Sequence, residues 1–536
     1  MNTLSLSRLK TRSSFSTKSS SRMELTPLES RLVPSTWWVT NNLDSGYGPD
    51  VPGSLRWDND HAQNGDIIRF AQNVRGDSIQ LTGPNLTIAH NIAIYGFSNG
   101  ALTILGRSGL SEGFNTNIFV VNSGCTATIS GFTLSNSQAE GTWGGAVSNF
   151  GNLTMTQCVI SNNISDNYTG GIYNAGTLLL DQVNFNNNQV LGVEIKGLDP
   201  YYKQSQGGAI DAAPGSNTDI LNCTFTGNVS NAGGYGGGFA YGGALYTAGN
   251  TNISNCTFTS NSTTAGGELQ VGGTEAFARG GAIYAAGGRL SIWASTFVSN
   301  SAYIAAYPGQ EGSSSAQGGA LWQSGTTITT VVNSTFSANS VTAATPDAAD
   351  STGYLAGGTM YNGGGLLSIQ QSTVVGGTVY MIDPDPSTPF PYYSVRASGG
   401  NIYTDPTGWS AGTTVTALLD TIVAEGREDY ISDGKNFAVV PSDIQGYVES
   451  LGYNLIQSTA GVTAFANNVT GNIYGVDPDL GPLQNNGGNT ETFALLSNSP
   501  ALHAGIYLSR VDQRGEPRYL NDTDMGAFQT PEPRCG

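Results

Sequence analysis

Residues 280–300 read Gly280-Gly281-Ala282-Ile283-Tyr284-Ala285-Ala286-Gly287-Gly288-Arg289-Leu290-Ser291-Ile292-Trp293-Ala294-Ser295-Thr296-Phe297-Val298-Ser299-Asn300. Leu290 and Ile292 alternate with Ser291, the two-residue period of a strand with one buried face. A glycine pair opens the stretch and an Asn closes it, and both are residues of tight turns. The plan recurs along the chain. Glycine pairs begin at Gly144, Gly170, Gly207, Gly242, Gly280, Gly318 and Gly357, with a weaker copy at Gly399. A Thr-Phe-x-x-Asn motif follows, ending at Asn228, Asn261, Asn300 and Asn339, and earlier variants place Ile160 before Asn163 and Phe185 before Asn188.

Spacing separates a constant part from a variable one. Glycine pair to aromatic position takes 15 to 18 residues, whereas aromatic position to next glycine pair takes 10 to 22. The shortest full repeat, 144 to 170, is 26 residues, and later ones are 35 to 39. Insertions at one point of a repeat emerge on one face of the stack. These inserts, such as 302–317 and 341–356, are rich in Gly, Ala, Ser and Tyr and read as loops. No repeat sustains helical three-and-four spacing, so helices are few.

Short strands between Gly and Asn turns match the coil of a right-handed parallel β-helix, an all-β solenoid expected over residues 66–450. Roughly a dozen coils at about 4.8 Å make a rod near 60 Å long. The strand phase predicts that Phe185, Phe225, Phe258, Phe297 and Phe336 stack inside. Asn188, Asn228, Asn261, Asn300 and Asn339 should form a column at a turn, where Asn tolerates left-handed backbone and bonds to its neighbours. Cys158, Cys223 and Cys256 share one inward column position. Cys223 and Cys256 in adjacent coils leave two readings open, buried free thiols or a disulfide.

A solenoid needs its ends covered, because an open terminal coil presents unpaired strand edges. Residues 36–65 are expected to form the N-terminal cap, with a short helix over 54–62, Ser54 as its N-cap, and Leu55 and Trp57 packed on the rod. Residues 451–536 depart from the repeat and are expected to form a compact C-terminal cap and tail. Residues 1–35 hold six basic and two acidic residues, are rich in Ser and Thr, and lack periodicity, so they are expected to lie outside the rod.

Composition excludes several function classes. Of 536 residues only 11% are charged, and Asp+Glu 39 against Lys+Arg 21 gives a net charge of -18. An acidic surface repels phosphates, which argues against a nucleic-acid partner. No run of 18 apolar residues provides a membrane-spanning helix. The three histidines, His61, His90 and His503, are too dispersed for a ligand set.

The glycine-pair and Thr-Phe-x-x-Asn copies resemble the β-helix repeats of bacterial surface proteins of the polymorphic outer-membrane-protein type. The run Asp477-Pro478-Asp479-Leu480-Gly481-Pro482-Leu483-Gln484-Asn485-Asn486-Gly487-Gly488 is followed by Ser499-Pro500-Ala501-Leu502-His503-Ala504-Gly505, then Asp512-Gln513-Arg514-Gly515 and Asp524-Met525-Gly526-Ala527-Phe528. This set resembles the choice-of-anchor Q family of secreted β-helix proteins, and residues 40–70 are similar to that family's N-terminal cap. Leu28 to Ser35 resembles an export-associated leader of planctomycete surface proteins. The resemblance spans about residues 28–528 and implies export and an extracellular or cell-surface place, without one chemistry. His503 stands where that family usually has Asp. No membrane β-barrel follows the rod, so attachment by the autotransporter route within one polypeptide is not expected.

Candidate sites fall in the inserts and the C-terminal region. Tyr201, Tyr202, Tyr235, Tyr241, Tyr303, Tyr307 and Tyr354 lie in or beside inserts and are candidates for stacking on sugar faces or contacting a protein; the alternative is that these loops shield the sheet. The expected function is a non-catalytic surface rod, adhesive or structural, with a polysaccharide or a cell-surface or matrix protein as partner. The alternative is a polysaccharide lyase or glycoside hydrolase working in a groove, for which Glu268, Glu275 and Glu311 are the candidate acids, because glycoside hydrolysis needs paired carboxylates. No cofactor is expected, except that Asp477, Asp479, Asp522 and Asp524 form a weak candidate site for structural Ca²⁺. The competing reading is a cap network pairing Arg514 or Arg518 with Asp512 or Asp524.

Overall fold

The computed structural model describes residues 34–46, 48–49, 51–97, 100–107, 117–139, 143–166, 168–194, 203–233, 238–266, 275–305, 313–344, 352–382, 396–406, 414–431, 437–464 and 469–531. One coil shows the plan. Ala276–Arg279 leads into the glycine pair, and Ile283–Ala285, Arg289–Trp293, Thr296–Val298 and Ser301–Ala305 follow. Each strand pairs in parallel with its counterparts in the coils before and after, so Ile283 lies between Leu245 and Leu321. Stacking gives a floor sheet (the Ile283–Ala285 position) continuous through a bend with a rear sheet (Arg289–Trp293), 24 described strands together. A flank sheet (Thr296–Val298) has 13 described strands, and two further sheets have 10 and 7. The molecule is a parallel β-helix.

Floor, rear and flank sheets enclose one apolar core. Leu290 and Ile292 point into it, whereas Ser291 is half-buried and Trp293 exposed, which is the alternation read from the sequence. Phe185, Phe225, Phe258, Phe297 and Phe336 are fully buried. Their rings stack 4.4 to 4.7 Å apart and within 6° of parallel. Beside them runs the Asn column, from Asn163 to Asn339. Asn261 is representative: its Nδ2 donates to Phe225 O at 2.9 Å and to Asn300 Oδ1 at 2.9 Å. Its Oδ1 accepts from the backbone N and Nδ2 of Asn228. Every polar atom of the buried amide is thereby satisfied.

The column Asn residues are not themselves left-handed, a correction to the expected turn geometry. The residue before each takes that conformation: Asn187, Gly227, Ser260, Ser299 and Ala338 have φ between 51° and 63°. The amide column holds each turn from the next residue, which lets Ser and Ala occupy a region that costs them about 1–2 kcal/mol. The glycine pair divides two tasks. Gly242, Gly280, Gly318 and Gly357 have φ of +61° to +68°. Their successors Gly243, Gly281 and Gly319 leave no room for a Cβ, which would meet the backbone oxygen of the glycine one coil on.

Cys125, Cys158, Cys223 and Cys256 are buried free thiols. Cys256 Sγ donates to Ser254 O at 3.2 Å and accepts from Cys223 N at 3.4 Å. Ser295 and Ser334 make the equivalent bonds in later coils, so Cys serves here as a small turn-bonding residue. Burial pushes the Cys158 thiol up to about 11.

The inserts are strands rather than loops. Ser301–Ala305 and its counterparts form one sheet, and Ser313–Gln317 and its counterparts form another. The two sheets face each other across a layer of small residues that includes Ala232, Ala240, Ala265, Ala278, Ala302 and Ala316. Alanine side chains let the sheets approach closely, and the result is a thin fin along one edge of the rod. The Gly/Ala/Ser composition that resembles a flexible loop is what such a narrow interface requires.

At the N-terminal end, Thr36–Val39 pairs with Ile67–Phe70 as the first coil strand, and helix α1 (Leu55–His61) covers the core. Ser54 Oγ accepts from Trp57 N at 3.2 Å, as expected of the N-cap. Arg56 and Asp44 form an ion pair at 2.6 Å beneath it. Residues 1–33, the body of the basic leader, lie outside the described residues. At the other end, Leu455–Ile456 and Ile473–Tyr474 continue the flank sheet. The chain then turns back and runs along the flank as a strap, instead of closing the rod end as expected. Gly526 N donates to Asp420 O at 3.0 Å, and Ala527 N to Thr373 Oγ1 at 3.0 Å. Asn333 Nδ2 donates to Val511 O at 2.9 Å. Gln513 Nε2 donates to Thr296 Oγ1 at 2.8 Å, and Asn489 Nδ2 reaches Asn222 Oδ1 at 3.3 Å.

Candidate functional site

The floor sheet shows its outer face to a concave corner whose wall is the outer fin sheet. The middle residue of each three-residue floor strand points into that corner. By register these residues are Ser148, Tyr173, Asp211, Tyr246, Tyr284, Trp322, Tyr361 and Tyr403. In-register stacking brings the rings together: Tyr246–Tyr284 at 5.4 Å, Tyr284–Trp322 at 4.5 Å, Trp322–Tyr361 at 5.9 Å and Tyr361–Tyr403 at 5.1 Å.

By register one column supplies the corner of the wall: Trp143, Gln206, Tyr241, Arg279 and Gln317, each directly before a glycine pair, and Tyr168, which precedes Thr169. By register each shares a rung with the floor residue of its own coil, and contacts join Tyr168 to Tyr173, Tyr241 to Tyr246 and Gln317 to Trp322. Arg279 lies 4.5 Å from the Phe277 ring and 4.8 Å from the Trp322 ring. Its Nε donates to Gln317 Oε1 at 3.1 Å, and Trp322 Nε1 donates to the same oxygen at 3.0 Å. Tyr241 sits 4.5 Å from Tyr284, and Tyr354 meets Tyr403 edge-on at 5.6 Å. The middle of the corner is therefore well packed.

The N-terminal part is open. Among the described residues the fin begins with Lys203–Gln206 and the short strand Val193–Glu194, and no described fin strand pairs beside the coils of Ser148 and Tyr173. Short connections carry Trp143 and Tyr168 there instead. Trp143 is 42% exposed and stacks on Tyr168 at 4.4 Å, with Tyr173 at 4.8 Å from it. Phe150 adds a further ring 5.9 Å from Tyr173.

Two carboxyls mark the corridor. Asp211 replaces an aromatic residue between Tyr173 and Tyr246 and is 2% exposed. Burial pushes its carboxyl well above the usual range, with no hydrogen bond to hold it down. Burial likewise raises the Tyr173 and Tyr246 hydroxyls, and the nearby Asp211 raises them further. Asp405 accepts from Tyr361 OH at 2.9 Å. Asp211 and Tyr361 stand four coils apart, on the order of 20 Å, well beyond the roughly 5–9.5 Å of a glycosidase carboxylate pair.

Of the residues singled out in the sequence, Tyr241 and Tyr354 line the corridor, whereas Tyr303 sits half-buried on the inner fin sheet. Tyr201, Tyr202, Tyr235 and Tyr307 lie outside the described residues, as do Glu268 and Glu311. Glu275 is exposed at the start of a wall strand. The weak Ca²⁺ set is not brought together. Asp477 caps Asp479 N at 2.9 Å, Asp522 pairs with the His503 ring, and Asp524 accepts from His503 N and from Thr530 N and Oγ1. Among the described residues no three acidic, His or Cys side chains cluster as metal ligands. The expected cap network is present: Arg514 grips Asp512 through Nε at 2.9 Å and Nη2 at 2.7 Å. Arg518 instead donates to the carbonyls of Asp524 and Gly526 and to Asn333 Oδ1.

The floor aromatics lie outside the inserts that hold the other candidate residues. Their signal stands in the constant part of the repeat, where an aromatic residue follows the apolar residue after the glycine pair. No protein-family model matches the chain, and no curated protein matches it.

Proposed function

We propose that this protein is a non-catalytic binding rod that holds an extended polysaccharide along the corridor between floor and fin. One observation carries the reading: a line of aromatic side chains from Tyr246 to Tyr403, interrupted at Asp211, lies in register with the exposed Trp143–Tyr168–Tyr173 platform. Aromatic faces give large apolar contact at low conformational cost and suit the flat faces of sugar rings. The ladder rings stack on one another, and the exposed Trp143 offers its ring at the end of the corridor for a sugar to stack on. An extracellular or cell-surface place belongs to the same proposal and rests on the resemblance of the terminal motifs.

The test is affinity electrophoresis of the full chain through soluble neutral and acidic polysaccharides, with reducing-end and unsaturated-product assays on each polymer that retards it. Retardation without product is expected. A Trp143→Ala, Tyr168→Ala double variant should bind at least tenfold more weakly while melting as the parent does. Turnover of any retarding polymer would sink the non-catalytic reading, and absence of retardation by every polymer would sink the binding reading.

A further inference from the structure

The rungs of the corridor differ in one place. Tyr168 with Tyr173 and Tyr241 with Tyr246 are aromatic, and between them stands the single rung built of two polar side chains, Gln206 with Asp211. Asp211 is buried, flanked by rings, and makes no hydrogen bond to a described residue. A buried carboxyl with no partner costs stability. An aromatic residue, present at the same position in most neighbouring coils, would extend the stack at no such cost. Structural economy therefore does not explain Asp211, and its place at the mouth of the corridor does.

We propose that the Gln206–Asp211 rung selects the glycan, with Asp211 hydrogen-bonding the hydroxyls of an uncharged sugar ring seated against Tyr173 and the Trp143 platform. This rests on the binding reading above and names the class of polymer. A carboxyl accepts hydrogen bonds from sugar hydroxyls in either protonation state, and a protonated one donates as well. Polymers of uronic acids are disfavoured, because the chain carries a net charge of -18. Arg279, a cation of the wall two coils along, is held by Phe277, Trp322 and Gln317.

The experiment compares the full chain with Asp211→Ala, Asp211→Asn and Trp143→Ala variants. Affinity electrophoresis at pH 7 uses a soluble glucan, a mannan and polygalacturonate, and each variant is melted in parallel. The expected result is retardation of the parent by a neutral polymer and not by polygalacturonate. Asp211→Ala should weaken neutral binding at least tenfold without lowering the melting temperature, and Asp211→Asn should keep part of the affinity. Parent-like binding by Asp211→Ala beside weakened binding by Trp143→Ala would overturn the selector and leave the corridor reading standing. So would a preference of the parent for polygalacturonate. A fall in melting temperature in Asp211→Ala would assign the residue a structural role and likewise overturn the proposal. Indifference of the parent to all three polymers, with retardation by none, would remove both.

Discussion

Two aromatic ladders climb this rod, one inside and one outside. The inner one repeats a single residue: five Phe rings, fully buried, 4.4 to 4.7 Å apart. The outer one mixes Tyr and Trp, with centroids 4.5 to 5.9 Å apart, and admits a carboxyl at Asp211. Parallel in-register pairing puts equivalent side chains about 4.8 Å apart whatever they are, so stacking itself follows from the coil. What differs is freedom. A side chain enclosed on all sides must match its neighbours in volume, and the column changes only to other apolar residues, Leu134 and Ile160 before the Phe run and Val374 and Val423 after it. A ring with one side toward a groove can vary, and the variation is where function is to be sought.

The comparison breaks most readily from the inside. Phe297→Ala should cost about 3–5 kcal/mol in denaturant melts, because the cavity would be closed by strands that cannot collapse. A loss under about 1 kcal/mol would mean that the inner stack is not what holds the coils. The same truncation outside, Tyr284→Ala, should cost only about 2 kcal/mol, since the groove can admit water to the vacated space. Equal losses for the two would erase the distinction between the ladders.

The finest test uses pH. Burial holds the Asp211 proton in the folded protein after the unfolded chain has lost it. Its contribution is complete below the ordinary carboxylate range and is lost as pH rises toward the raised value. Asp211→Tyr removes that loss and completes the outer stack. The variant should melt close to the parent at pH 4 and above it at pH 8, and a gap independent of pH would show that Asp211 is ionised in the fold.

The coil, the Phe stack and the Asn column were legible because each repeats one residue at nearly fixed spacing. The placement of left-handed backbone was less legible. Asn is the commonest residue to tolerate it, yet Asn261 sits beside Ser260, which adopts it. Alanine-lined fin strands look like loops because short side chains carry no apolar period, and their packing partner is another insert. The outer ladder was obscured by its own variety, Tyr246 and Trp322 sharing a column with Asp211. The strap had no local signal at all: Gln513 meets Thr296 across 217 residues of chain.

That strap changes how the rod should come apart. A plain solenoid has contacts only between nearest coils, and its unfolding can creep inward from either end, one unit after another. Here residues 489–527 are bonded to coils at Asp420, Thr373, Asn333, Thr296 and Asn222. Fraying from the C-terminal end has to peel this ribbon before the coils beneath it can leave. A one-dimensional zipper is thereby converted, over this stretch, into a unit that opens together. Until the strap has docked, the same coils are held only by their neighbours, so its docking acts as a late lock on a stack already formed.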